Sequence, residues 1–477
     1  MGKTGKITFI LNGKKTTVDF AKEGLSPSTT VLHYLRGKGV RSVKSVCEEG
    51  DCGACSIVVG KPDGSAGMTY STYNSCILFL PWLDGKEVIT AEHLAEGENL
   101  HPVQQAMVSN HAIQCGYCTP GFTMSLFSLF HSGENIDRKA LELTLAGNLC
   151  RCTGYHSIYK AGMSLNDINR EDKFSRREKS TASELQNIAK ETVFIQTDDR
   201  EYFRPLTLTQ ALEYRRDNPD AVIIAGATDV ALLQNKKNVI LTKIMDLSAV
   251  EELNFFRRQD NTYEWGATLS IEKVKNHLPL PPWQHLFERY ASKQIRNIAS
   301  FGGNIANASP VGDTLPLLIA YKAAVKLTSL TGERRVPVED FITGYRKTQL
   351  KQDELITSIV LPVPEENTYI RSYKISKRKH VDISTLSAAF RLTVKDGICT
   401  EAVFAYGGMA ETVKRAKEAE NFLTGKPLTK ENIHLAAAKV KQAFTPISDV
   451  RAPSEYRSAV AENLLRIFAD EILMEEI

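Results

Sequence analysis

The sequence predicts a multidomain α+β protein, and three observations lead to this fold class. The chain of 477 residues is longer than a single hydrophobic core usually supports, so several domains are expected. Short strand-like runs dominate residues 1–90, and helical periodicity dominates residues 91–165. Strands and helices alternate over residues 196–364, and a last α+β pattern covers residues 365–477.

Composition and charge narrow the classes of function. Hydrophobic residues make up 42% of the chain and charged residues 24%, which is ordinary for a globular protein. The net charge of +3 gives no reason to expect nucleic acid or an anionic membrane as a partner. The first 20 residues lack the apolar core of a signal peptide, and no apolar run approaches the about 18 residues that span a bilayer. Eight of the nine cysteines lie between Cys47 and Cys152, which suits metal ligands in a cytoplasmic protein better than a secreted disulfide framework.

The first cysteine motif has the spacing C-x4-C-x2-C, with a fourth cysteine further along the chain. This spacing is typical of a plant-type [2Fe–2S] cluster, because the loop must wrap the cluster closely enough for three sulfurs to reach iron. Gly50 and Gly53 allow backbone N–H groups to approach the sulfurs without a Cβ clash. A structural zinc site is the alternative, although zinc usually has paired C-x2-C motifs. The candidate ligands are Cys47, Cys52, Cys55 and Cys76.

The segments around this motif predict one small domain over residues 1–90. Strand-like runs occur at residues 6–11, 15–20, 56–59 and 88–90, and a helical stretch occurs at residues 30–37. Asn12-Gly13 is a typical hairpin turn between the first two strands. Short strands with one helix and a cysteine loop resemble the β-grasp ferredoxin fold.

Residues 91–165 predict a helical domain with a second cysteine motif. Thr119-Pro120 forms an N-cap and N1 pair for a helix that Gly133 closes, and a further helix is expected over residues 138–146. Because each cysteine pair lies at a helix end, a helix–loop–helix arrangement could bring four thiolates to one centre. A C-x-C pair suits a four-thiolate cluster better than a redox dithiol, and zinc or a thioredoxin-like dithiol is the alternative. The candidate ligands are Cys115, Cys118, Cys150 and Cys152.

Residues 166–195 are rich in charge and poor in large apolar side chains until their end. This composition predicts an interdomain linker with a domain boundary near residue 195. A protease is therefore expected to cut the chain between about residues 172 and 181.

Two turns of small residues stand out in the predicted domain over residues 196–364. The first, Gly226-Ala-Thr-Asp229, follows a strand predicted at residues 221–225, which itself follows a helix predicted at residues 209–216. The second runs from Ser300 through Gly302-Gly303 to Ser309. A strand, a small-residue turn and a helix offer free N–H groups to a phosphate. No G-x-G-x-x-G sequence occurs, so a Rossmann dinucleotide site is not indicated, but two such turns behind two cysteine motifs favour a nucleotide cofactor.

The C-terminal residues 365–477 predict a further α+β domain. Strands are expected at residues 369–375, 385–394 and 402–406, and helices at residues 430–443 and 456–473. Tyr456, Val460, Leu464 and Ile467 share one face of the last helix, which is interpreted as core. Cys399 is interpreted as an inert, partly buried thiol.

These motifs together are similar to those of the xanthine dehydrogenase family of molybdenum hydroxylases. The iron–sulfur half of the family is matched by both cysteine motifs, with Gln114 ahead of the second, and by Gly147-Asn-Leu-Cys150-Arg-Cys152-Thr-Gly154. The flavin half is matched by Ser300-Phe-Gly-Gly-Asn304 through Ser309-Pro-Val-Gly-Asp313, by Phe341-Ile-Thr-Gly-Tyr-Arg-Lys-Thr348 and by Tyr406-Gly-Gly-Met-Ala410. The resemblance covers nearly the whole chain except the predicted linker, and it is greatest to the small subunit of the split bacterial enzymes.

The resemblance implies two [2Fe–2S] clusters and FAD in this chain, with molybdopterin in a separate large subunit. It adds that the domain over residues 196–364 is an α/β FAD-binding domain of the molybdenum hydroxylase flavoprotein type. In the family, the helical-domain cluster takes electrons from molybdopterin, the ferredoxin-like cluster passes them to FAD, and NAD+ accepts a hydride. Substrate oxidation is then expected on the large subunit, so no catalytic residue is assigned here. A heterotetramer of two small and two large subunits is expected.

The resemblance also implies individual FAD contacts. The aromatic residue that stacks on the isoalloxazine falls on Tyr290, where the animal enzymes have Phe, and Tyr keeps the stacking surface. The complete set of implied contacts is Ile223, Ile224, Ala225, Gly226, Ala227, Thr228, Asp229, Val230, Tyr290, Ser300, Gly303, Asn304, Asn307, Asp313, Ile356 and Lys374.

The sequence departs from the family at two places. The loop Lys377-Arg-Lys-His-Val381-Asp382 is more basic than the loop that gates the acceptor side in the animal enzymes. A basic loop beside the flavin would favour an anionic acceptor such as NAD+, and a solvated surface loop is the alternative. Ala227 stands where the family often has Asn, so one hydrogen bond to FAD is expected to be missing.

Several functions are compatible with these features. The leading hypothesis is the electron-transfer subunit of an NAD+-dependent xanthine dehydrogenase, an oxidoreductase of purine metabolism that converts hypoxanthine and xanthine to urate. The equivalent subunit for aldehydes, nicotinate or another N-heterocycle is an alternative, since the substrate pocket lies on the other subunit. A free-standing NADH-linked iron–sulfur flavoprotein and a zinc-stabilised scaffold are alternatives from different classes.

Overall fold

The computed structural model of the protein describes residues 3–65, 67–188, 191–197 and 199–475. The chain forms two compact units. Unit 1 comprises Met1–Ala211, Asp220–Val250 and Ala291–Ala299, and unit 2 comprises Leu212–Pro219, Glu251–Tyr290 and Ser300–Ile477. Both units run across some of the domain limits expected from the sequence, and those limits stay predictions.

The elements of secondary structure are numbered along the chain. The strands are β1 (Lys3–Thr4), β2 (Lys6–Leu11), β3 (Lys14–Asp19), β4 (Ser56–Pro62), β5 (Met68–Asn74), β6 (Glu87–Ile89), β7 (Val193–Gln196), β8 (Glu201–Arg204), β9 (Val222–Ile224), β10 (Lys243–Asp246), β11 (Phe256–Gln259), β12 (Thr262–Gly266), β13 (Ala324–Ser329), β14 (Gly332–Pro337), β15 (Ile342–Gly344), β16 (Lys347–Thr348), β17 (Leu355–Pro362), β18 (Thr368–Ile375), β19 (Leu386–Lys395), β20 (Ile398–Gly407) and β21 (Lys414–Arg415).

The helices are α1 (Val31–Gly37), α2 (Pro102–Ser109), α3 (Thr119–Phe130), α4 (Arg138–Leu145), α5 (His156–Met163), α6 (Lys173–Ile188), α7 (Leu208–Asp217), α8 (Val230–Lys237), α9 (Ile271–His277), α10 (Pro281–Arg289), α11 (Lys293–Arg296), α12 (Phe301–Ala306), α13 (Thr314–Ala320), α14 (Val338–Phe341), α15 (Lys417–Leu423), α16 (Lys430–Val440) and α17 (Ser454–Glu475). Within the described ranges, no helix combines the length and the apolar composition that crossing a membrane requires.

The first part of unit 1 is the predicted β-grasp sheet, with the strand order β3-β2-β6-β4-β5. The β2–β3 hairpin turns at Asn12 and Gly13, which both have positive φ, and β2 runs parallel to β6. Helix α1 begins after Thr30, its N-cap, and its buried residues share a core with Phe9. Strand β5 was missed, because Thr, Ser and Asn dilute the apolar signal of its buried residues Tyr70 and Tyr73.

The helical part of unit 1 contains α2 to α5. Helix α3 is central, since all of residues 121–130 are buried. The N-cap expected at Thr119 is wrong by one residue, because the helix begins at Thr119 and Cys118 is the N-cap. This shift places a cysteine at the helix N-terminus, where burial and the hydrogen bond with Cys150 raise the pKa of Cys118 to about 12. The helix expected at residues 138–146 is confirmed as α4.

Helix α6 corrects the linker prediction. Phe174, Ala182 and Leu185 on this helix are buried in the core that also contains Phe127 and Phe130. They form one apolar stripe on an otherwise charged helix, which is why the average composition concealed it. The expected cut between residues 172 and 181 does not fit a folded helix, because proteolysis needs local unfolding. Residues 189 and 190 of the expected linker lie outside the described part of the chain.

A second sheet in unit 1 has the strand order β1-β7-β8-β10-β9. Strands β8, β10 and β9 are parallel, and β7 is antiparallel to β8. Helix α7 and strand β9 confirm the helix expected at residues 209–216 and the strand expected at residues 221–225. Strand β9 leads into α8 through the first small-residue turn.

Unit 2 contains an antiparallel sheet with the strand order β11-β12-β17-β13-β14. Aromatic rings form its core, and the ring centroids of Trp265 and Phe301 are 5.1 Å apart. Because α12 begins with Phe301, this packing fixes the start of a helix inside the segment from Ser300 to Ser309, which the sequence predicted as a small-residue turn.

The C-terminal part of unit 2 is a sheet of order β18-β19-β20-β21 with helices α15 to α17. The expected strands and both expected helices are present. The expected core face of α17 is partly wrong, because Tyr456 is 49% exposed and Ile467 is 46% exposed. Cys399 is fully buried rather than partly buried. Burial raises the pKa of Cys399 to about 11, so the thiol stays neutral and unreactive.

Candidate metal centres and cofactor loops

Amide side chains from two other segments hold the first cysteine loop, residues 47–55. Asn74 Nδ2 donates a hydrogen bond to the Gly50 carbonyl oxygen at 2.6 Å. Asn235 Nδ2 donates to the Glu48 carbonyl oxygen at 3.0 Å, and it also donates to the carbonyl oxygen of Cys76, outside the loop, at 2.8 Å. Gly50 has a φ of 79°, which only glycine adopts readily. The loop is therefore shaped by its own turn and by two amides, of which Asn74 is buried and Asn235 is partly exposed.

The four thiols of this first quartet form one hydrogen-bonded chain in the order Cys52, Cys47, Cys76 and Cys55. The hydrogen bonds from Cys52 and Cys76 hold the pKa of Cys47 well below its usual range. The same contacts with Cys47 raise the pKa values of Cys52 and Cys76. Closely packed thiols cannot all ionise without a cation, so the quartet has the chemistry of a metal site.

The second quartet lies at helix ends. The thiol of Cys118 is hydrogen bonded to that of Cys150, and the thiol of Cys152 to that of Cys115. Cys150 Sγ also lies 3.2 Å from Thr153 Oγ1. Cys115 and Cys152 are exposed, whereas two members of the first quartet are buried. The second quartet is therefore the one open to solvent.

The geometry of both quartets fits a binuclear cluster better than a single zinc ion. Four thiolates on one zinc ion all lie about 3.8 Å apart, because each Zn–S bond is about 2.3 Å long. In the described part of the chain, the one group of three ligand atoms within 4.8 Å of one another is His101, His131 and Asp172. No three cysteine sulfurs in the described residues meet that condition, so the thiols are more spread out than four ligands of one zinc ion would be.

The group of His101, His131 and Asp172 is a hydrogen-bonded cluster that fixes the N-terminus of α6, and it is called the lock on α6 below. Nε2 of each histidine lies 2.8 Å from Asp172 Oδ2. His101 Nδ1 accepts a hydrogen bond from the Val103 N–H, so the proton of the neutral ring is on Nε2, which is not free for a metal. Burial alone would raise the pKa of Asp172, but the hydrogen bonds from both histidines hold it well below its usual range. The other carboxylate oxygen accepts two N–H groups at the start of α6.

Replacing Asp172 with alanine is expected to free the N-terminus of α6. Two buried histidines and two helix N–H groups would lose their acceptor, which costs about 3 kcal/mol of unfolding free energy. Trypsin should then cut at Arg176 or Arg177, which the wild-type helix protects. Exposed Glu171 offers the control, since Glu171→Ala should leave both the melting temperature and the digestion pattern unchanged. An intact α6 in Asp172→Ala would contradict the lock.

A backbone hydrogen bond joins the two cysteine loops. The N–H of Leu149, which precedes Cys150, donates to the carbonyl oxygen of Cys52 at 3.0 Å. The loops approach this closely because Gly53 has no side chain, and a Cβ there would lie 2.1 Å from the Gly147 carbonyl oxygen. Unit 1 thus brings both quartets together.

The implied FAD contacts at residues 223–230 belong to unit 1. Strand β9 ends at Ile224 and α8 begins at Val230. Gly226 is required in the turn, because a Cβ there would lie 2.0 Å from the Ile298 carbonyl oxygen. A turn this tight presents backbone rather than side chains, as phosphate binding needs.

Ala227 in this turn has a φ of 57°, a left-handed conformation that Asn adopts more readily than Ala. Ala227→Asn is therefore expected to stabilise unit 1 by about 1 kcal/mol. If the amide also reaches FAD, the FAD dissociation constant should fall about threefold to tenfold. Melting curves with and without FAD separate the two effects, since a purely conformational gain is equal in both. A lower melting temperature would contradict the assignment.

In unit 2, Ser300 is the N-cap of α12, and its Oγ accepts a hydrogen bond from the Gly303 N–H at 3.2 Å. Asn304 Nδ2 donates to the Tyr290 hydroxyl at 2.9 Å, and Asn304 Oδ1 accepts a hydrogen bond from the Thr314 hydroxyl. The hydroxyl that distinguishes Tyr290 from Phe is therefore used to hold the ring against α12.

A buried ion pair lies in the same unit. Lys374 Nζ is 2.6 Å from Asp313 Oδ2, and both side chains are less than a tenth exposed. Asn307 Oδ1 accepts a hydrogen bond from Arg346 at 3.0 Å. Ile356 lies within β17 and is 7% exposed, so it offers little surface to a ligand. Tyr290, Asn304, Asp313 and Lys374 are thus polar or aromatic groups fixed by their neighbours.

The basic loop at residues 377–382 is internally hydrogen bonded. The Arg378 N–H donates to Asp382 Oδ2 at 2.9 Å, and its guanidinium donates to the Val381 carbonyl oxygen at 2.6 Å. Lys377 Nζ donates to the Val450 carbonyl oxygen at 3.1 Å. The loop is a structured turn, and a role in attracting an anionic acceptor stays a prediction.

Sequence reasoning missed the amides that hold the first cysteine loop, namely Asn74, Asn235 and Asn148, which donates to the Gly53 carbonyl oxygen at 3.2 Å. It also missed Gln294, which donates to Asn148 Oδ1 at 2.9 Å. Their partners lie far away along the chain, so no local pattern marks them. The sequence Gly147-Asn-Leu-Cys150 was the one available signal, since it places Asn148 beside a candidate ligand.

Comparisons with known protein families agree with both kinds of site. Three family models match the chain: a [2Fe-2S] binding domain over residues 90–163, an FAD binding domain in molybdopterin dehydrogenase over residues 196–364, and a CO dehydrogenase flavoprotein C-terminal domain over residues 371–472. The chain thus has a [2Fe–2S]-binding domain and an FAD-binding domain.

The curated relatives include two xanthine dehydrogenases. That of Emericella nidulans is 32% identical over 89% of this chain and 35% of the relative, and xanthine dehydrogenase 1 of Arabidopsis thaliana is 30% identical over 88% and 36%. The chain spans about a third of the length of these relatives.

Solved structures with the same fold include two enzymes with other substrates. A chain of CO dehydrogenase from Oligotropha carboxidovorans is 28% identical, with a TM-score of 0.52 over 56% of this chain and 94% of that chain. A chain of quinoline 2-oxidoreductase from Pseudomonas putida 86 is 25% identical, with a TM-score of 0.53 over 57% and 95%.

Proposed function

This chain belongs to the molybdenum hydroxylase family, and from that premise we propose that it is the electron-transfer subunit of an NAD+-dependent xanthine dehydrogenase. Electrons from a molybdopterin-binding large subunit would pass through two [2Fe–2S] centres and FAD to NAD+. The overall reaction would be the oxidation of hypoxanthine and xanthine to urate.

The observation that carries the proposal is the contact between the two cysteine loops. The Leu149 N–H bonds to the Cys52 carbonyl oxygen, so the hydrogen bond joins the residue next to Cys150 of the second quartet to Cys52 of the first quartet. Two redox centres that exchange electrons need a short connection through bonded atoms, whereas two independent structural zinc sites do not. The extended arrangement of the thiols supports the same conclusion.

The clusters and the flavin supply the one-electron and two-electron chemistry when they are bound. The chain would hold one cluster through Cys47, Cys52, Cys55 and Cys76 and the other through Cys115, Cys118, Cys150 and Cys152. In unit 1, the turn at Gly226 would present backbone to a phosphate group. In unit 2, Tyr290 would present its ring to an isoalloxazine, and the buried Asp313–Lys374 pair would hold two of the implied FAD contacts in place.

The exposed second quartet supports a large subunit as the partner. Besides Cys115 and Cys152, the apolar side chains of Ile113, Tyr117 and Leu149 are each at least 40% exposed. Exposed apolar groups around a redox-active site favour docking of another protein. We propose that the molybdopterin subunit covers this surface, in a heterotetramer of two small and two large subunits.

The choice of xanthine as substrate rests on the relatives, which are named as xanthine dehydrogenases. The structures of similar fold are named for CO and quinoline, so the equivalent subunit for another substrate is the second candidate. The substrate pocket would lie on the large subunit in either case.

Purification of the native complex tests the proposal. We expect a larger subunit with molybdenum, about four irons and one FAD per small subunit, and NADH formation from xanthine. A complex without molybdenum or a larger subunit would favour the free-standing NADH-linked flavoprotein. A molybdenum complex that oxidises an aldehyde or another heterocycle, but not xanthine, would keep the subunit role and change the substrate.

A further inference from the structure

Gln294 lies in a region that family comparison assigns to FAD binding, yet its side chain is part of the cysteine-loop contact. It belongs to α11 in the segment Ala291–Ala299 of unit 1. In the sequence it lies between Tyr290 and Ser300, which are both implied FAD contacts. Its side chain is fully buried.

The carboxamide of Gln294 sets the orientation of Asn148. Gln294 Nε2 donates to Asn148 Oδ1 at 2.9 Å and to Ser125 Oγ at 3.2 Å. Ser125 Oγ also donates to Asn148 Oδ1, at 2.7 Å. With two donors on this oxygen, the NH2 group of Asn148 must point the other way, and it donates to the Gly53 carbonyl oxygen at 3.2 Å.

The Gly53 carbonyl belongs to the residue that directly follows Cys52, a candidate ligand. It accepts further hydrogen bonds from Ser56, at 2.8 Å from the hydroxyl and 3.1 Å from the N–H. Its peptide group includes the Ala54 N–H, which lies in the loop between the candidate ligands Cys52 and Cys55. Hydrogen bonds accepted by a peptide carbonyl strengthen its N–H as a donor. Hydrogen bonds to ligand sulfurs raise the reduction potential of an iron–sulfur cluster, because they stabilise the added negative charge.

Burying the carboxamide of Gln294 has a free-energy cost that a role in packing alone does not explain. Its Oε1 is buried and has no hydrogen-bond partner among the described residues. The opposite amide orientation would place Oε1 against Asn148 Oδ1, so the observed orientation is the one that keeps the donor on Asn148. A residue needed only to fill this space could be Leu or Met.

We propose that Gln294 is a positioning residue that, through Asn148 and Gly53, raises the reduction potential of the cluster held by Cys47, Cys52, Cys55 and Cys76. The inference rests on the proposed function, since it needs a cluster at that quartet. The segment that family comparison assigns to FAD binding would then help to set the reduction potential of the cluster that passes electrons to the flavin.

Gln294→Met tests this proposal, since methionine keeps the length and the apolar stem but donates no hydrogen bond. A redox titration of the native complex, followed by EPR, reports the two clusters separately. We expect the reduction equilibrium constant of the first-quartet cluster to fall about threefold to tenfold, or about 30–60 mV for one electron, with the second cluster unchanged. Ser125→Ala removes the other donor to Asn148 and should lower the reduction potential of the same cluster by a smaller amount. It therefore tests the proposal independently if Gln294→Met fails to fold.

Asn297 provides the matched control. Its side chain in the same segment donates at 2.9 Å to the carbonyl oxygen of Thr72, which lies in β5 and in neither cysteine loop. Asn297→Leu should leave both potentials unchanged. Unchanged potentials in Gln294→Met and Ser125→Ala, or equal shifts of both clusters, would overturn the inference and leave the proposed function intact. A wild-type complex with no iron signal would overturn the proposed function itself.

Discussion

Replacing Cys150 with serine is expected to abolish electron transfer from substrate to NAD+ while NADH oxidation by an artificial acceptor continues. Cys150 is a candidate ligand of the solvent-exposed quartet, which would receive electrons from the partner subunit. Serine oxygen is a poor ligand for iron, so this centre should be lost with about two irons per chain. The other quartet and the flavin-binding residues are untouched, and turnover with substrate should fall by more than about 100-fold.

Steady-state assays of the native complex measure this effect with two pairs of donor and acceptor: substrate with NAD+, and NADH with an artificial acceptor. The iron content of the complex is measured as well. Cys399→Ser is the control, because Cys399 is buried in the C-terminal core and far along the chain from both quartets. It should leave both activities and the iron content unchanged. Loss of both activities in a folded Cys150→Ser complex would contradict the proposed order of the centres.

Gly53→Ala is expected to separate the two cysteine loops. A Cβ at this position would lie 2.1 Å from the Gly147 carbonyl oxygen and 2.9 Å from the Asn148 Cα, and backbone atoms cannot move aside cheaply. Gly53 also has a φ of 69°. Together these effects should cost about 3 kcal/mol or more of unfolding free energy and break the hydrogen bond between Leu149 and Cys52.

Gly39→Ala measures the cost of placing alanine at a positive φ without the steric clash that Gly53→Ala adds. Gly39 has a φ of 83°, and no atom lies within 4 Å of a Cβ built there. Its substitution should cost only about 1 kcal/mol and should not slow reduction of the second centre by NADH. Equal destabilisation by the two substitutions, with unchanged electron transfer in Gly53→Ala, would contradict the importance of the loop contact.

The cysteine motifs could be predicted from the sequence because their ligands are local. Cys47, Cys52 and Cys55 lie on one loop, and Cys118 lies beside a helix start that Pro120 marks. The boundaries of α3 and α4 followed from caps and apolar spacing, with an error of one residue at Thr119. Local signals of this kind survive without knowledge of the tertiary structure.

The tertiary contacts could not be predicted in this way. The lock on α6 joins His101, His131 and Asp172, which are separated by up to 71 positions. Gln294 and Asn148 are 146 positions apart. The charged composition of residues 166–195 suggested a linker because an average over the segment hides a single buried stripe. In α17, the buried residues include Leu465 and Phe468, so the helix is rotated relative to the face chosen from the sequence.

Iron analysis with EPR of the reduced native protein tests the central claim most directly. The account predicts about four irons per chain and two distinct [2Fe–2S] signals, one lost in Cys150→Ser and the other shifted in potential by Gln294→Met. A colourless protein from iron-replete cells, with zinc in the cysteine sites and no such signals, would contradict it.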